Sequence, residues 1–204
     1  QQRNDDANAI AYYEKALYVD STDAETYNNL GIVYKRNAQP EKAIVMFKKV
    51  LQYYPKSVDA YNNLGLSFAG KKEFSNAEQY YQQAIMLDSN YSIVYTNLAN
   101  AYYEQGKYQR AINTYQKAIL KGETNTWIYN NLAVLLIERE EYDSAISYLQ
   151  QAIKLNSNYA IAYKNLGMAF VKKKMQRQAM DAFQKAAALG DTEVREWLKK
   201  NNLH

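Results

Sequence analysis

The run Tyr-Asn-Asn-Leu-Gly at residues 27–31 returns at residues 61–65, and the same register continues along the chain with a period of 34 residues. A fixed period of this length constrains folding more than composition does. Each unit is too small to bury a core alone and must bury its apolar surface against its neighbours. The 204 residues therefore count repeats, and function is to be sought on whichever face the repeats leave uncovered.

With the first large aromatic of each unit set at position 4, five full units follow at residues 24–57, 58–91, 92–125, 126–159 and 160–193, with no insertion. Position 4 is Tyr27, Tyr61, Tyr95, Tyr129 and Tyr163, and position 7 is always leucine. Position 8 is Gly31, Gly65, Ala99, Ala133 and Gly167, and position 11 is Tyr34, Phe68, Tyr102, Leu136 and Phe170. The spacing 4, 7, 8, 11 is the apolar stripe of an amphipathic helix, here helix A. A second helix, B, carries alanine at position 20, a bulky residue at 24 (Phe47, Tyr81, Tyr115, Leu149, Phe183) and Val50 or alanine at 27. Small residues at position 8 let the two helices approach closely. Pro40 suits a first helical turn, while Pro55, Asp-Ser-Asn at 88–90 and Asn-Ser-Asn at 156–158 read as breaks between units.

The ends differ from the middle. Ala9, Tyr13 and Ala16 match positions 20, 24 and 27, so residues 1–23 read as a helix B whose helix A is expected upstream, together with any targeting segment. At the other end Asp191 or Thr192 suits the cap of a final helix at 192–202, in which Val194, Trp197 and Leu198 cover the last unit and Lys199 and Lys200 favour the C-terminal end. The whole, residues 1–204, reads as one repeat domain.

These residues resemble the tetratricopeptide repeat, whose period and W-x-x-L-G-x-x-Y, A-x-x-x-F, P pattern they follow with tyrosine in place of tryptophan. Proline at position 32 survives only as Pro55, and Leu136 and Leu149 replace aromatics in the fourth unit. The resemblance implies an all-α, right-handed α-solenoid with helices A lining the concave inner surface of a superhelix.

On a helical wheel, positions 2, 6, 9 and 13 of helix A point away from the core. Position 6 is Asn29, Asn63, Asn97, Asn131 and Asn165. A carboxamide offers both donor and acceptor, which matches a peptide unit and holds a backbone without reading a side chain. Helices pack roughly 8–10 Å apart and an extended chain advances about 3.3 Å per residue, so one asparagine meets about every third peptide residue. Similar asparagine ladders line the repeats of O-linked N-acetylglucosamine transferases, where they hold extended protein substrates; no transferase residues are present here. The same amides also suit a structural use, satisfying neighbouring side chains, and the pattern alone leaves both readings open.

Position 9 is Ile32, Leu66, Val134 and Met168, apolar where a solvated face is expected to be polar, with Asn100 as the exception. Position 2 changes from Glu25 and Asp59 to Ile93, Trp127 and Ile161, and Tyr103, Ile137 and Val171 at position 12 flank this second half. An outward apolar strip points to a partner more than scattered single residues do. The competing reading is burial of these side chains against adjacent helices A. Lys164, at position 5 of the last unit, is included among the groove residues. The lysine and arginine pattern with which relatives grip chaperone C-terminal tails is missing: position 5 is Asn28, Asn62, Thr96, Asn130 and Lys164, and no unit has arginine at 6.

Composition narrows the remaining classes. The net charge of +4 is small, and lysines are interspersed with glutamates, so nothing asks for nucleic acid or an anionic membrane. The lysines at 71–72 and 172–174 fall in A-to-B turns and read as solubility residues. Many of the 21 tyrosines fall at core positions 4, 11 and 24, and the outward face lacks the basic and aromatic interleaving of a single-strand platform. No apolar run approaches the roughly 18 residues of a membrane span. There is no cysteine, and the single histidine is the last residue, His204, so nucleophile, base and metal sets built on those side chains are unavailable. The expectation is a non-enzymatic scaffold, without metal or cofactor, that binds an extended peptide segment of another protein. The alternatives are the substrate-recognition part of a larger enzyme, and self-assembly through the exposed face of the first helix. The compartment is unknown.

Overall fold

The structure, a computed structural model, describes residues 2–201, with side chains from residue 5 onward. The last residue of the expected capping helix, 202, and His204 lie outside the described residues. Among the described residues there are twelve α-helices and no strand. After α1 (Gln2–Val19) come five hairpins: α2 (Ala24–Arg36) with α3 (Pro40–Tyr53), α4 (Val58–Gly70) with α5 (Phe74–Leu87), α6 (Ser92–Glu104) with α7 (Tyr108–Leu120), α8 (Thr126–Glu138) with α9 (Tyr142–Leu155), and α10 (Ala160–Lys172) with α11 (Gln176–Ala188). The last helix is α12 (Thr192–Lys200). Helices α1–α7 form one compact unit and α8–α12 a second, with the division at Lys121 and Gly122.

Within each hairpin the small residue at position 8 sets the spacing. A Cβ built on Gly31 would lie 2.6 Å from the Phe47 ring, and one on Gly167 would lie 2.5 Å from Phe183. These aromatics lie directly on a helix backbone, a contact that only a missing side chain permits. Leu30, Tyr34, Ala43, Ile44, Phe47 and Leu64 form one buried cluster of the first unit, to which Tyr13 and Leu17 of α1 add apolar surface. In the second unit Val194 and Leu198 of α12 pack with Ala186 and Ala187.

Among the described residues, side-chain caps begin four of the helices. Asp23 accepts from the Glu25 and Thr26 amides, Ser57 from Ala60, Asn125 from Ile128 and Asp191 from Val194. Asp191 rather than Thr192 is therefore the cap of the final helix. Each satisfies a donor that the first helical turn leaves without an intrahelical partner.

Every A-to-B turn places position 15 in the left-handed region: Ala38 at φ 53°, Lys72 at 61°, Gly106 at 70°, Glu140 at 62° and Lys174 at 60°. A side chain costs about 1 kcal/mol there, and glycine avoids that cost. Only the third unit uses glycine. Glu140→Gly is therefore expected to stabilise the second unit by about 0.5–1 kcal/mol, read as a higher urea midpoint; an unchanged or lower midpoint contradicts it.

Candidate functional site

In the first unit helices α2, α4 and α6 pack in series, and in the second α8 packs along α10. These are the A helices, and their outward positions carry the expected site residues. Ile93 and Tyr103 are exposed on α6, and Trp127, Ile161, Met168 and Val171 are exposed in the second unit. Trp127 and Ile161 occupy the same register position on two helices that pack together, with 42% and 46% of their surface accessible. Val134 is half-buried.

Ile137 departs from expectation, with only 8% of its surface accessible. Position 12 follows core position 8 by about one turn, and α8 is packed by both α9 and α10, so this side chain belongs to the core flank. Lys164 is also not free for a ligand. Its ammonium lies 2.9 Å from Glu193 and 3.8 Å from Asp191 on the start of α12. Those contacts raise its pKa, led by the hydrogen bond to Glu193.

The asparagine ladder has a partner at the neighbouring position. Asn63 Nδ2 donates to Asn28 Oδ1 at 3.3 Å, Asn97 to Asn62 at 2.8 Å, and Asn165 to Asn130 at 2.8 Å. In these three repeats the position-6 amide thus donates to the position-5 amide of the preceding repeat, so the structural use foreseen for these residues is present. The asparagine pairs at 28–29, 62–63 and 130–131 carried the sequence signal for it. Asn165 is buried, whereas Asn29, Asn63, Asn97 and Asn131 keep partial exposure. Asn131 Oδ1 accepts from Asn130 at 3.3 Å. Thr96, at position 5, keeps a buried hydroxyl with no hydrogen-bond partner among the described residues. Asn100 accepts the Tyr115 hydroxyl through Oδ1.

Two clefts open on these faces. One of about 210 Å³ lies in the first unit, with Leu66, Tyr81, Asn97 and Asn100 among its walls. One of about 230 Å³ in the second brings Lys164 and Met168 together with Trp197. The Trp197 ring sits 5.5 Å from Phe183, so it covers the last hairpin on one side while 44% of its surface stays accessible.

A larger opening of about 870 Å³ lies along the turn edge, lined by Asp20, Asp23, Glu25 and Asp59 among others. Three of these carboxylates already have donors: Asp20 from Thr22, Asp23 from the α2 cap and Asp59 from Tyr91. The Tyr91 hydroxyl donates to Asp59 at 2.6 Å. That hydrogen bond, followed by burial, pushes the Tyr91 phenol up to about 12. Because the folded value is raised, the associated stability is present below the ordinary tyrosine value of about 10 and is lost as pH rises through about 12. Asp59→Asn is expected to bring Tyr91 ionisation, followed by absorbance at 295 nm, down toward the ordinary value; an unchanged titration contradicts the pairing. Among the described residues no group of three histidine, cysteine or carboxylate side chains is placed to hold a metal, and no helix is long and apolar enough to cross a membrane.

Paired helices in a constant register, with a small residue at position 8 facing a bulky one at position 24, define a helical repeat protein of the α-solenoid class. Tetratricopeptide repeat models match residues 12–45, 58–91, 80–113 and 125–190, and a TPR repeat model matches 99–137. The chain belongs to the tetratricopeptide repeat proteins. It is similar in structure to YrrB, described as a TPR protein with an unusual peptide-binding site, at a TM-score of 0.74 and 20% identity over 92% of this chain and 97% of that one. It is similar also to the C-terminal part of a TPR repeat-containing protein from Cytophaga hutchinsonii, at a TM-score of 0.77 and 21% identity over 92% and 75% of the two chains. Pseudomonas aeruginosa pilF matches at a TM-score of 0.75 and 21% identity over 90% and 87%. No curated protein matches the sequence. The shared fold is a scaffold for protein–protein interaction.

Proposed function

We propose that this chain is a non-enzymatic scaffold that binds an extended segment of a partner protein along the outward faces of its A helices. The observation that carries this reading is the exposure of large apolar side chains at equivalent positions: Ile93 in the first unit, Trp127 and Ile161 in the second. A few buried anchors, tryptophan prominent among them, carry most of the energy at binding surfaces, while neighbouring contacts such as Ile161 beside Trp127 exclude water around them. Since an amide has two donors and two lone pairs, the partly exposed Asn63 and Asn97 keep hydrogen-bonding capacity beyond their inter-repeat bonds, and Asn29 and Asn131 are partly exposed as well. At about 1 kcal/mol net per hydrogen bond, offset by the cost of ordering the peptide, the affinity is roughly micromolar at best. YrrB, with its unusual peptide-binding site, supports the mode of binding without supplying the residues.

The test is binding of the purified chain to an array of peptides tiling the source proteome, beside a Trp127→Ala/Ile161→Ala variant. Both side chains keep over 40% of their surface accessible, so the variant is expected to stay folded with at most a modest drop in melting temperature and to bind about tenfold or more weakly. Equal binding by both proteins moves the function to another face.

A further inference from the structure

The 210 Å³ cleft of the first unit is lined by a tyrosine to whose hydroxyl position 9 of its own hairpin offers no acceptor. Tyr81 is 1% exposed, and its ring packs on Gly65 while its side chain lines the cleft. Among the described residues its hydroxyl has no hydrogen-bond partner, and burial alone raises its pKa far above the ordinary value, which keeps the phenol protonated.

The repeats themselves show what such a hydroxyl needs. Position 24 and position 9 face each other within a hairpin, as the Tyr115 hydroxyl and Asn100 Oδ1 demonstrate. Where position 9 is Ile32, Val134 or Met168, position 24 is Phe47, Leu149 or Phe183, none with a polar tip. Where position 9 is Asn100, position 24 is Tyr115. The exception is Leu66 with Tyr81, a tyrosine whose hairpin supplies no acceptor. Its hydroxyl is therefore left to water or to a ligand in the cleft that Tyr81 lines.

We infer that this cleft is a subsite for a primary carboxamide side chain, glutamine or asparagine, of the bound peptide. The inference rests on the proposed peptide-binding reading and adds a side-chain specificity to it. The cleft presents donors and acceptors together: the Tyr81 hydroxyl and the Asn100 amide nitrogen can donate, and Asn97 Oδ1 and the Glu104 carboxylate can accept. Asn100 Oδ1 is already used by Tyr115, and one Asn97 N–H by Asn62. A carboxamide, with one carbonyl oxygen and two N–H groups, complements that set. Lys72 on the cleft wall would attract a carboxylate, but a carboxylate has no N–H for Asn97 Oδ1 and Glu104, and an ammonium has no lone pair for the Tyr81 and Asn100 donors. Leu66 and Phe74 supply apolar wall for the methylene stem. The volume is below the roughly 300–1,000 Å³ of small-molecule sites, which suits a single side chain.

The experiment is a positional-scanning array of acetylated decapeptides probed with the wild-type chain, Tyr81→Phe and Leu66→Asn. Tyr81→Phe conserves the packing volume, so it reports on the hydroxyl and not on folding. Leu66→Asn recreates the Asn100–Tyr115 arrangement and satisfies Tyr81 internally. The expected result is that wild type selects glutamine or asparagine at one peptide position about tenfold over leucine and glutamate, and that both variants lose this selection while still binding the array. Binding without a carboxamide preference, or a preference that persists in Tyr81→Phe, overturns the subsite and leaves the peptide-binding reading standing. No binding by any of the three proteins overturns both.

Discussion

Phe47→Ala is expected to destabilise the first unit by about 3–5 kcal/mol. The side chain is fully buried and lies at the centre of the cluster formed with Leu30, Tyr34, Ile44 and Leu64. Its ring rests on Gly31, close enough that even a Cβ there would be 2.6 Å away. A glycine has no side chain that can move into the vacated space, so the cavity left by truncation stays open, and residual cavity volume is what brings such substitutions to the upper end of their range. The fourth unit suggests a compensation, because Ala133 and Leu149 stand where Gly31 and Phe47 stand in the first. Gly31→Ala combined with Phe47→Leu reproduces that pair and is expected to cost much less than Phe47→Ala. Urea denaturation followed by circular dichroism measures both, and a loss under about 1 kcal/mol for Phe47→Ala would show that the hairpin repacks around the void.

Asn165→Ala is expected to cost about 1–3 kcal/mol although it removes only a small polar side chain. Asn165 and Asn130 are both buried, and the 2.8 Å hydrogen bond between them satisfies the Asn130 carbonyl oxygen. Truncation leaves that oxygen without its donor, away from water. Asn130→Ala/Asn165→Ala removes both partners, so its cost should fall short of the sum of the two single substitutions, giving a coupling of about 0.5–3 kcal/mol in a double-mutant cycle. Additivity would mean that the pair contributes nothing as a pair. Asn97→Ala is a useful contrast, because Asn97 keeps partial exposure and water can replace part of what is lost. Substituting asparagines along the ladder therefore confounds binding with folding, and for that reason the binding test uses Trp127 and Ile161.

Much of the fold was legible because a 34-residue register repeats each core contact five times. Positions 4, 7, 8 and 11 identified helix A, and Pro40 and Pro55 marked where α3 begins and ends. The left-handed residue of each A-to-B turn was not legible, since glycine marks it only at Gly106 and the other units place alanine, lysine or glutamate there. The site was legible in part. A helical wheel gives the direction of a side chain and not what a neighbouring repeat brings to it. Exposure at Ile93, Trp127, Ile161 and Met168 followed from direction alone. Ile137, covered where α8 is packed from two sides, and Lys164, engaged by the start of α12, did not. The asparagine pairing was present in the sequence as recurrent Asn-Asn dipeptides, but a reading confined to one helix at a time does not reveal a bond that spans 35 residues.

Site-specific photocross-linking tests the central claim most directly, using the tightest peptide from the proteome array and a benzoylphenylalanine placed in turn at Ile161, on the outward face of α10, and at Ser147, exposed on α9. The account predicts covalent capture of the peptide from position 161 and none from position 147. Capture from 147 alone would place the partner on the B helices and contradict the proposed function.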